Sequence, residues 1–410
     1  MWSENKTFYS TIYSPLTLPM ILQIRIGNMY SIHQEMTLDL QAASLQTRRA
    51  KQMLSHTFTQ GDERALKSVA IFGANAAGKS SMIKAIKACR DIIKDSHNYN
   101  ADTRFGYEPF KFGGQQEPSQ FEIRFLLDGV EYEYGFTFTP EKILTEYLYT
   151  YPKGRKAIVF TRDESLGPDK KAIYTFRSAL KKPLDVATNT SDKTLFLSRG
   201  SQMDRPILKE VYQFLTNGIV VKLGGQDAAL RRRLAAVDKQ LLLTVLKTAD
   251  SDIVDYEILP DRITTTHSLD ANVKFDFATE ESAGTIKLVD LALLALEVIA
   301  DGKLLVIDEL ESSLHSALAQ FIVDAFNKSE CAQLVFTTHS RSFLDLEHWR
   351  RDQIYFVNKL ADGSSDLYSL FDYKRIDEDS DIAKAYDQGR FDAVPYVGEP
   401  EVLYLSKKKK

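Results

Sequence analysis

Residues 67–95 read KSVAIFGANAAGKSSMIKAIKACRDIIKD, and the order of residue types along this stretch decides the fold. Ser68–Phe72 is a short apolar run, the pattern of a buried strand. From Met82 onward, Ile83, Ile86, Cys89, Ile92 and Ile93 recur at helical spacing, which predicts a helix with one buried face. Between the two lie Gly73, Ala74, Asn75, Ala76, Ala77, Gly78, Lys79 and Ser80, which fit GxxxxGK[ST]. Residues this small let consecutive backbone N–H groups curl round a polyphosphate, and the helix that follows points its positive end at it. Lys79 is then placed to reach the β- and γ-phosphates, Ser80 to hold Mg²⁺, and Ser81 to add a polar group at the helix start. A strand, a glycine loop and a helix open a βαβ unit. The expectation is therefore an α/β protein that binds ATP with Mg²⁺.

Two other apolar runs end in chemistry. Leu304-Leu305-Val306-Ile307 predicts a buried strand that delivers Asp308 and Glu309 at its end. Beside a phosphate loop, Asp308 would hold Mg²⁺ through Ser80 or water, and Glu309 would polarise an attacking water. A strand ending in a solvated acidic turn is common, so the pair gains its meaning from its company. LVFTTHS (residues 334–340) brings His339 to another strand end, where an imidazole can hydrogen-bond the γ-phosphate and sense its loss. The catalytic set read from the sequence is Glu309, His339 and Lys79. Glu281-Ser282-Ala283-Gly284-Thr285 stands immediately ahead of an apolar helix, and by itself it reads as an N-cap. A hydroxyl, glycine amides and a helix N-terminus also make an anion site, however, and one chain rarely needs two cradles for one nucleotide. Ser282 and Gly284 are thus expected to close over the nucleotide of a second subunit.

The remainder of the chain frames these motifs. MILQIRIG (residues 20–27) alternates like a strand and TLDLQA (37–42) like its hairpin partner, whereas residues 46–64 are polar and read as a mobile loop. Residues 105–180 carry aromatic and β-branched segments separated by turn residues, which predicts an antiparallel sheet. Residues 193–250 read as helical without sustained heptads, so a long coiled coil is excluded. From residue 285 on, helices and strands alternate, which implies a parallel core sheet. The expected organisation is an N-terminal extension (1–19), the first part of the core with the P-loop (20–105), an antiparallel β subdomain (106–185), a helical insertion (186–270), the second part of the core (271–400) and a tail (401–410).

Composition excludes other classes. Hydrophobic residues at 44% and charged residues at 26% rule out wholesale disorder. Lys plus Arg number 52 against 56 for Asp plus Glu, and a net charge of −4 argues against a surface built wholly for nucleic acid. The two cysteines, Cys89 and Cys331, lie far apart with no His cluster, so neither a disulfide framework nor a zinc site is expected. No apolar run is long enough to span a membrane and no secretory signal opens the chain, so a cytoplasmic protein is expected.

The ordered set of P-loop, ESAGT, LLVIDE, SSLH and TTH resembles the ABC-type ATPases, the head domains of SMC, RecF and OLD-like proteins. MILQIRIGNMYS, AIFGANAAGKSSMIKAI, DELESSLHS, RRDQIYFVNK and AYDQGRFDAVPYVG are most similar to the bacterial stand-alone ATPases of the abortive-infection and anti-phage type, the RloA-like and AriA-like group, over roughly residues 20–400. The resemblance implies that Ser282 and Gly284 are signature contacts to the γ-phosphate of the opposite subunit. It makes Ser312, Ser313 and Leu314 the D-loop at the dimer seam, and His339 the switch histidine. Tyr30 stands where relatives often place a basic residue, and Gln115, Gln116 and Gln120 are all candidates for the Q-loop glutamine.

The implied function is a slow ATPase acting as a nucleotide-gated homodimer, with room for a higher homo-oligomer, as the sensor or scaffold of a defence system. Its trigger would be a phage protein or nucleic acid. About 70 residues follow His339 without a second acidic constellation, so the effector nuclease is expected on another chain. The alternatives are a RecF-like repair ATPase that binds DNA, a transporter's energising subunit and a scaffold that hardly turns over. The large middle sheet and poor signature match weigh against the transporter. Arg231-Arg232-Arg233, near Arg199, Arg205 and Lys209 in sequence, reads as a solvated helix face rather than a phosphate-binding patch. Tyr132, Tyr134, Tyr147, Tyr149 and Tyr151 read as the alternation of a half-buried sheet rather than a platform for bases.

Overall fold

The computed structural model describes residues 19–394 apart from 168, 178, 179, 182, 225–228, 251 and 375, and all their side chains except those of 153 and 249. The extension expected at 1–19 (residue 19 apart), the tail expected at 401–410 and the end of the AYDQGRFDAVPYVG segment lie outside the described residues. Strand β1 (Met20–Gly27) pairs antiparallel with β2 (Met36–Asp39), as the two alternating runs predict. The polar stretch expected as a mobile loop instead forms a short helix, α1 (Arg48–Gln52), and a hairpin of β3 (Thr57–Gln60) and β4 (Glu63–Leu66). Gly61, at φ +60°, turns the hairpin. Its buried apolar residues are only Phe58, Ala65 and Leu66, too few to show as a strand pattern. Strand β5 (Ser68–Gly73) and helix α2 (Lys79–Asp95) follow, and Met82, Ile83, Ile86, Cys89, Ile92 and Ile93 are all buried.

Next come β6 (Ser119–Leu127), β7 (Val130–Phe138), β8 (Ile143–Thr150), β9 (Ala157–Asp163) and β10 (Tyr174–Phe176), an antiparallel meander. They share one seven-stranded sheet with the N-terminal strands, in the order β10-β9-β8-β7-β6-β1-β2. Tyr132 and Tyr134 are buried in its core. On its other face the Tyr147 hydroxyl donates to Glu122 and that of Tyr151 to Glu133, which also accepts from Lys156. Carboxylates therefore occupy the tyrosines' polar ends, an arrangement suited to a solvated sheet face.

Four helices, α3 (Lys170–Ile173), α4 (Leu184–Thr188), α5 (Phe196–Gln202) and α6 (Pro206–Asn217), pack beside this sheet. A buried polar knot fixes the start of α5. Glu146 on β8 accepts the N–H groups of Phe196 at 2.6 Å and Leu197 at 2.9 Å and the hydroxyl of Tyr134 at 3.0 Å. Arg162 on β9 lies 3.6 Å from the same carboxylate, and neither side chain has any exposure.

The segment expected as a helical insertion, residues 186–270, is only partly helical. Strand β11 (Ile219–Lys222) interrupts it, α7 (Leu230–Ala236) and α8 (Lys239–Ala249) follow, and β12 (Ile253–Ile258), β13 (Ile263–His267) and β14 (Lys274–Asp276) form a separate three-stranded sheet. IVVK is four residues long, and ITTTH and KFD carry little apolar signal, so the helical periodicity around them dominates the sequence pattern. The arginine triplet is engaged. Arg231 donates to the Leu259 carbonyl, Arg233 to Glu297 at 2.5 Å, and Arg232 lies 3.8 Å from Glu297.

The last third alternates as the sequence predicts: α9 (Ala283–Ala300), β15 (Leu304–Ile307), α10 (Ser316–Lys328), β16 (Gln333–Thr338), β17 (Ile354–Lys359), β18 (Ser365–Ser369) and α11 (Ile382–Asp387). The core sheet runs β11-β15-β16-β5-β17-β18, and all its pairings are parallel except β17 with β18. Strand β5 is buried on both faces. Val69 and Ile71 face the core that contains α2, and Ala70 and Phe72 face the core built with α9 and α10. The fold is thus α/β, with a parallel core sheet and an antiparallel sheet. Among the described residues the longest helix is α9, with 18 residues, so there is no long coiled coil. No helix there is long and apolar enough to cross a membrane.

Parallel pairing is what positions the site. Phe72 lies opposite Thr338 and Phe336 opposite Ile307, so β5, β16 and β15 all end on one edge of the sheet. The P-loop, His339 and Asp308-Glu309 are the residues that follow those three ends.

Candidate functional site

The two fixed glycines of the P-loop are dictated by the fold as well as by room for a phosphate. A Cβ on Gly73 would stand 2.6 Å from the Val357 carbonyl oxygen of β17. Gly78 has φ +114°, and its Cβ would stand 1.9 Å from Ser365 Oγ. That serine anchors the loop: its hydroxyl donates to the Ala77 carbonyl at 2.6 Å and lies 2.7 Å from Ser31 Oγ, which donates to Ser81 at 2.8 Å. Ser81 therefore lines the site with its hydroxyl already engaged. Ala76 takes the left-handed conformation (φ +62°) that lets the loop curl.

Lys79 folds back over the loop and donates to the carbonyls of Gly73 at 2.9 Å and Ala74 at 3.1 Å. Burial holds its ammonium below the ordinary lysine range, while Asp308, Glu309 and Glu311 pull the other way. A cleft of about 390 Å³ is lined by Ser31, Asn75, Ala76, Gly78, Lys79, Ser80, Ser81, Glu309 and His339. Glu309 has φ +51°, and its N–H donates to Thr337 Oγ1 at 2.7 Å. The same hydroxyl donates to Asp308 Oδ1 at 2.7 Å. Thr337 thus orients both acids at once. Burial first, and then the Lys79 charge, hold the His339 imidazole below the ordinary histidine range, so it is neutral at pH 7.

The structure does not bring Ser282 or Gly284 to this cleft. Ser282 is exposed and caps α9, accepting the Thr285 N–H at 3.0 Å. Gly284 abuts the Ser312–Leu314 turn, expected as the D-loop: a Cβ there would stand 3.1 Å from the Ser313 carbonyl oxygen. Between them, Ala283 lines a second cavity with Asp308, Glu309, Ser312 and Ser313, so Glu309 borders both cavities. The Glu281 side chain is almost wholly buried and accepts from Thr265 Oγ1, with His267 Nε2 at 2.9 Å, which ties the start of α9 to the three-stranded sheet. None of the Q-loop candidates lines the cleft. Gln120 bonds Glu35 at 3.0 Å, and Gln115 and Gln116 line a separate cavity. Sequence reasoning missed Ser31, Ser365, Thr337 and Glu311, which reach the site through tertiary contacts. For Glu311 alone a signal existed, as the third acid of DELE.

Residues 68–345 match the family described as "AAA domain, putative AbiEii toxin, Type IV TA system". Among solved structures, the SMC head domain from Thermotoga maritima is 13% identical with a TM-score of 0.40, the match covering 85% of this chain and 98% of that one. The Smc head domain with an extended coiled coil bound to the C-terminal domain of ScpA, derived from Pyrococcus furiosus, is 13% identical with a TM-score of 0.39, covering 91% of this chain and 99% of that one. No curated protein matches the sequence. The family match spans most of the chain and includes the phosphate loop, Asp308, Glu309 and His339, so this protein belongs to that AAA-domain family of P-loop ATPases.

Proposed function

We propose that this chain is an ATP-hydrolysing switch in which two copies sandwich two nucleotides. The observation that supports it best is a division of labour. The P-loop, Glu309 and His339 share one cleft, whereas the second anion cradle, Ser282 and Gly284, does not line it and stands beside Ser313, next to a cavity on the other side of Glu309. A cradle that does not serve its own chain's loop is suited to serve another's. Ser80 and Asp308 offer hard oxygen donors, which fit Mg²⁺ when phosphate and water complete the shell. Bound there, the ion would neutralise charge on the phosphates. Glu309 takes a proton from the attacking water, neutral His339 hydrogen-bonds the γ-phosphate, and Lys79 exchanges its two carbonyl partners for phosphate oxygens. The adjoining cavity of about 360 Å³, lined by Tyr30, Phe110 and Phe112, shares Ser31 and Ala76 with the cleft and offers the base a place. Phe112 is 74% exposed and meets Phe110 edge-on, with ring centroids 5.8 Å apart.

Its family's description and its resemblance to anti-phage ATPases support a role as the cytoplasmic sensor of a defence system that holds and releases a separate effector nuclease. The RecF-like reading draws no support from the arginine triplet, which Glu297 and Leu259 engage. Molar mass in solution tests the sandwich. With ATP and Mg²⁺ the wild type is expected to dimerise, Lys79→Ala to stay monomeric, and Ser282→Arg to bind ATP yet stay monomeric. A mass that ignores nucleotide in all three would sink the sandwich, and a wild type that binds no ATP would sink the ATPase reading as well.

Thr337→Val keeps the buried shape but removes the hydroxyl shared by Asp308 and Glu309. Turnover should fall about tenfold, since each lost partner of a buried polar group is worth on the order of 1 kcal/mol. ATP binding should hold, and Thr337→Ser should restore turnover. An unaltered rate in Thr337→Val would mean that the hydroxyl does not orient the acids.

A further inference from the structure

Glu311 is the third carboxylate at the site, and no role given above uses it. It lies two residues past Glu309, on the loop after β15. Its Oε1 accepts the main-chain N–H of His339 at 2.5 Å, and its carbonyl accepts the N–H of Leu314 at 2.7 Å. The residue therefore ties the end of β16, which presents the imidazole, to the D-loop turn. Its other oxygen, Oε2, is buried and has no hydrogen-bond partner among the described residues. The titratable groups that sense this carboxylate come from three elements: Lys79 of α2, Lys287 of α9 and His339 after β16. Lys287 also donates to the Glu309 carbonyl at 3.3 Å. A half-buried carboxylate with one oxygen left unbonded is a costly way to build an ordinary turn, and such groups call for an explanation in use.

We propose that Glu311 is a positioning residue for ATP hydrolysis: it pins the main chain of His339 and so couples the D-loop to the group that reads the γ-phosphate. This rests on the ATPase reading above, and Glu311 acts through His339 rather than on the nucleotide. Steady-state ATP turnover of four variants tests it. Glu311→Ala should lower kcat at least tenfold with KM for ATP within threefold, and Glu311→Gln, whose amide oxygen still accepts the N–H, should recover most of the rate. The double variant Glu311→Ala/His339→Ala should be no slower than His339→Ala alone, because both changes remove one function. Independent, multiplying effects would overturn the proposal. So would a Glu311→Gln as slow as Glu311→Ala, or a raised KM at unchanged kcat. If melting shows that Glu311→Ala does not fold, Glu311→Leu, which keeps the bulk without an acceptor, takes its place in the cycle. Wild-type turnover lost in Lys79→Ala checks the underlying reading separately. With that loss seen, a normal Glu311→Ala overturns this inference alone, and without wild-type turnover both fall.

Discussion

Glu309→Gln is expected to bind ATP as tightly as the wild type and to hydrolyse it about 10²–10⁴-fold more slowly, the usual contribution of a positioned general base. The amide matches the carboxylate in size but has no basic oxygen to take the proton of the attacking water. The backbone that aims it is unchanged, because the residue 309 N–H bonds the Thr337 hydroxyl and not its own side chain. In the proposed reading binding is carried by the loop amides, Lys79 and Ser80, none of which is hydrogen-bonded to the Glu309 carboxylate. The loss should therefore fall on kcat and leave the ATP dissociation constant within a few fold. Phosphate release in a single turnover, measured beside equilibrium ATP binding, separates the two. A variant that turns over at the wild-type rate would mean that the base lies elsewhere. Weakened binding with turnover preserved would make Glu309 a binding group.

Much of this site is legible because each motif is local in sequence. Gly73–Ser80 is one loop, Asp308-Glu309 ends one apolar run, and His339 ends another. Once those runs are read as strands of one parallel sheet, their C-terminal ends must share an edge, and the three motifs meet without further information. What stays hidden is the shell that holds them. Ser31, in a turn, and Ser365, the first residue of β18, lock the loop from positions 50 residues before Ser81 and 288 residues after Ala77 in the chain. Nothing in their neighbours marks them, since a serine in a turn or at a strand start is common. Thr337 looks like any β-branched strand residue in LVFTTHS, and only the register beside Asp308 gives its hydroxyl two partners. The elements missed share a cause too. The hairpin β3–β4 and the sheet β12–β14 pair locally, but their strands are short and mostly polar or threonine-rich, and β11 is only four residues long and pairs with β15, far along the chain.

The other large effect concerns folding rather than chemistry. Glu146→Ala is expected to destabilise the protein by roughly 3–5 kcal/mol, the range for breaking a buried ion pair by removing one partner. Both Glu146 and Arg162 are fully buried, so water does not screen the pair and no surface discount applies. Burial pushes the Glu146 carboxyl above the ordinary carboxylate range, and Arg162, the two N–H groups and the Tyr134 hydroxyl pull it back. Alanine would leave the N–H groups of Phe196 and Leu197 and the Tyr134 hydroxyl without their acceptor at the start of α5, in a place water does not reach. Arg162 would keep Glu164 at 2.7 Å and the carbonyls of Thr194 and Ser191 at 2.6 and 2.8 Å. Its remaining partners put the cost at the lower end of the range if the cavity collapses and at the upper end if it does not. Tyr134→Phe removes one bond and one oxygen from the same knot and should cost only about 1 kcal/mol. Urea unfolding of the two variants, at unchanged slope, gives both numbers. Equal costs would mean that the knot is held by its apolar packing, and that the charge on Glu146 contributes little to the fold.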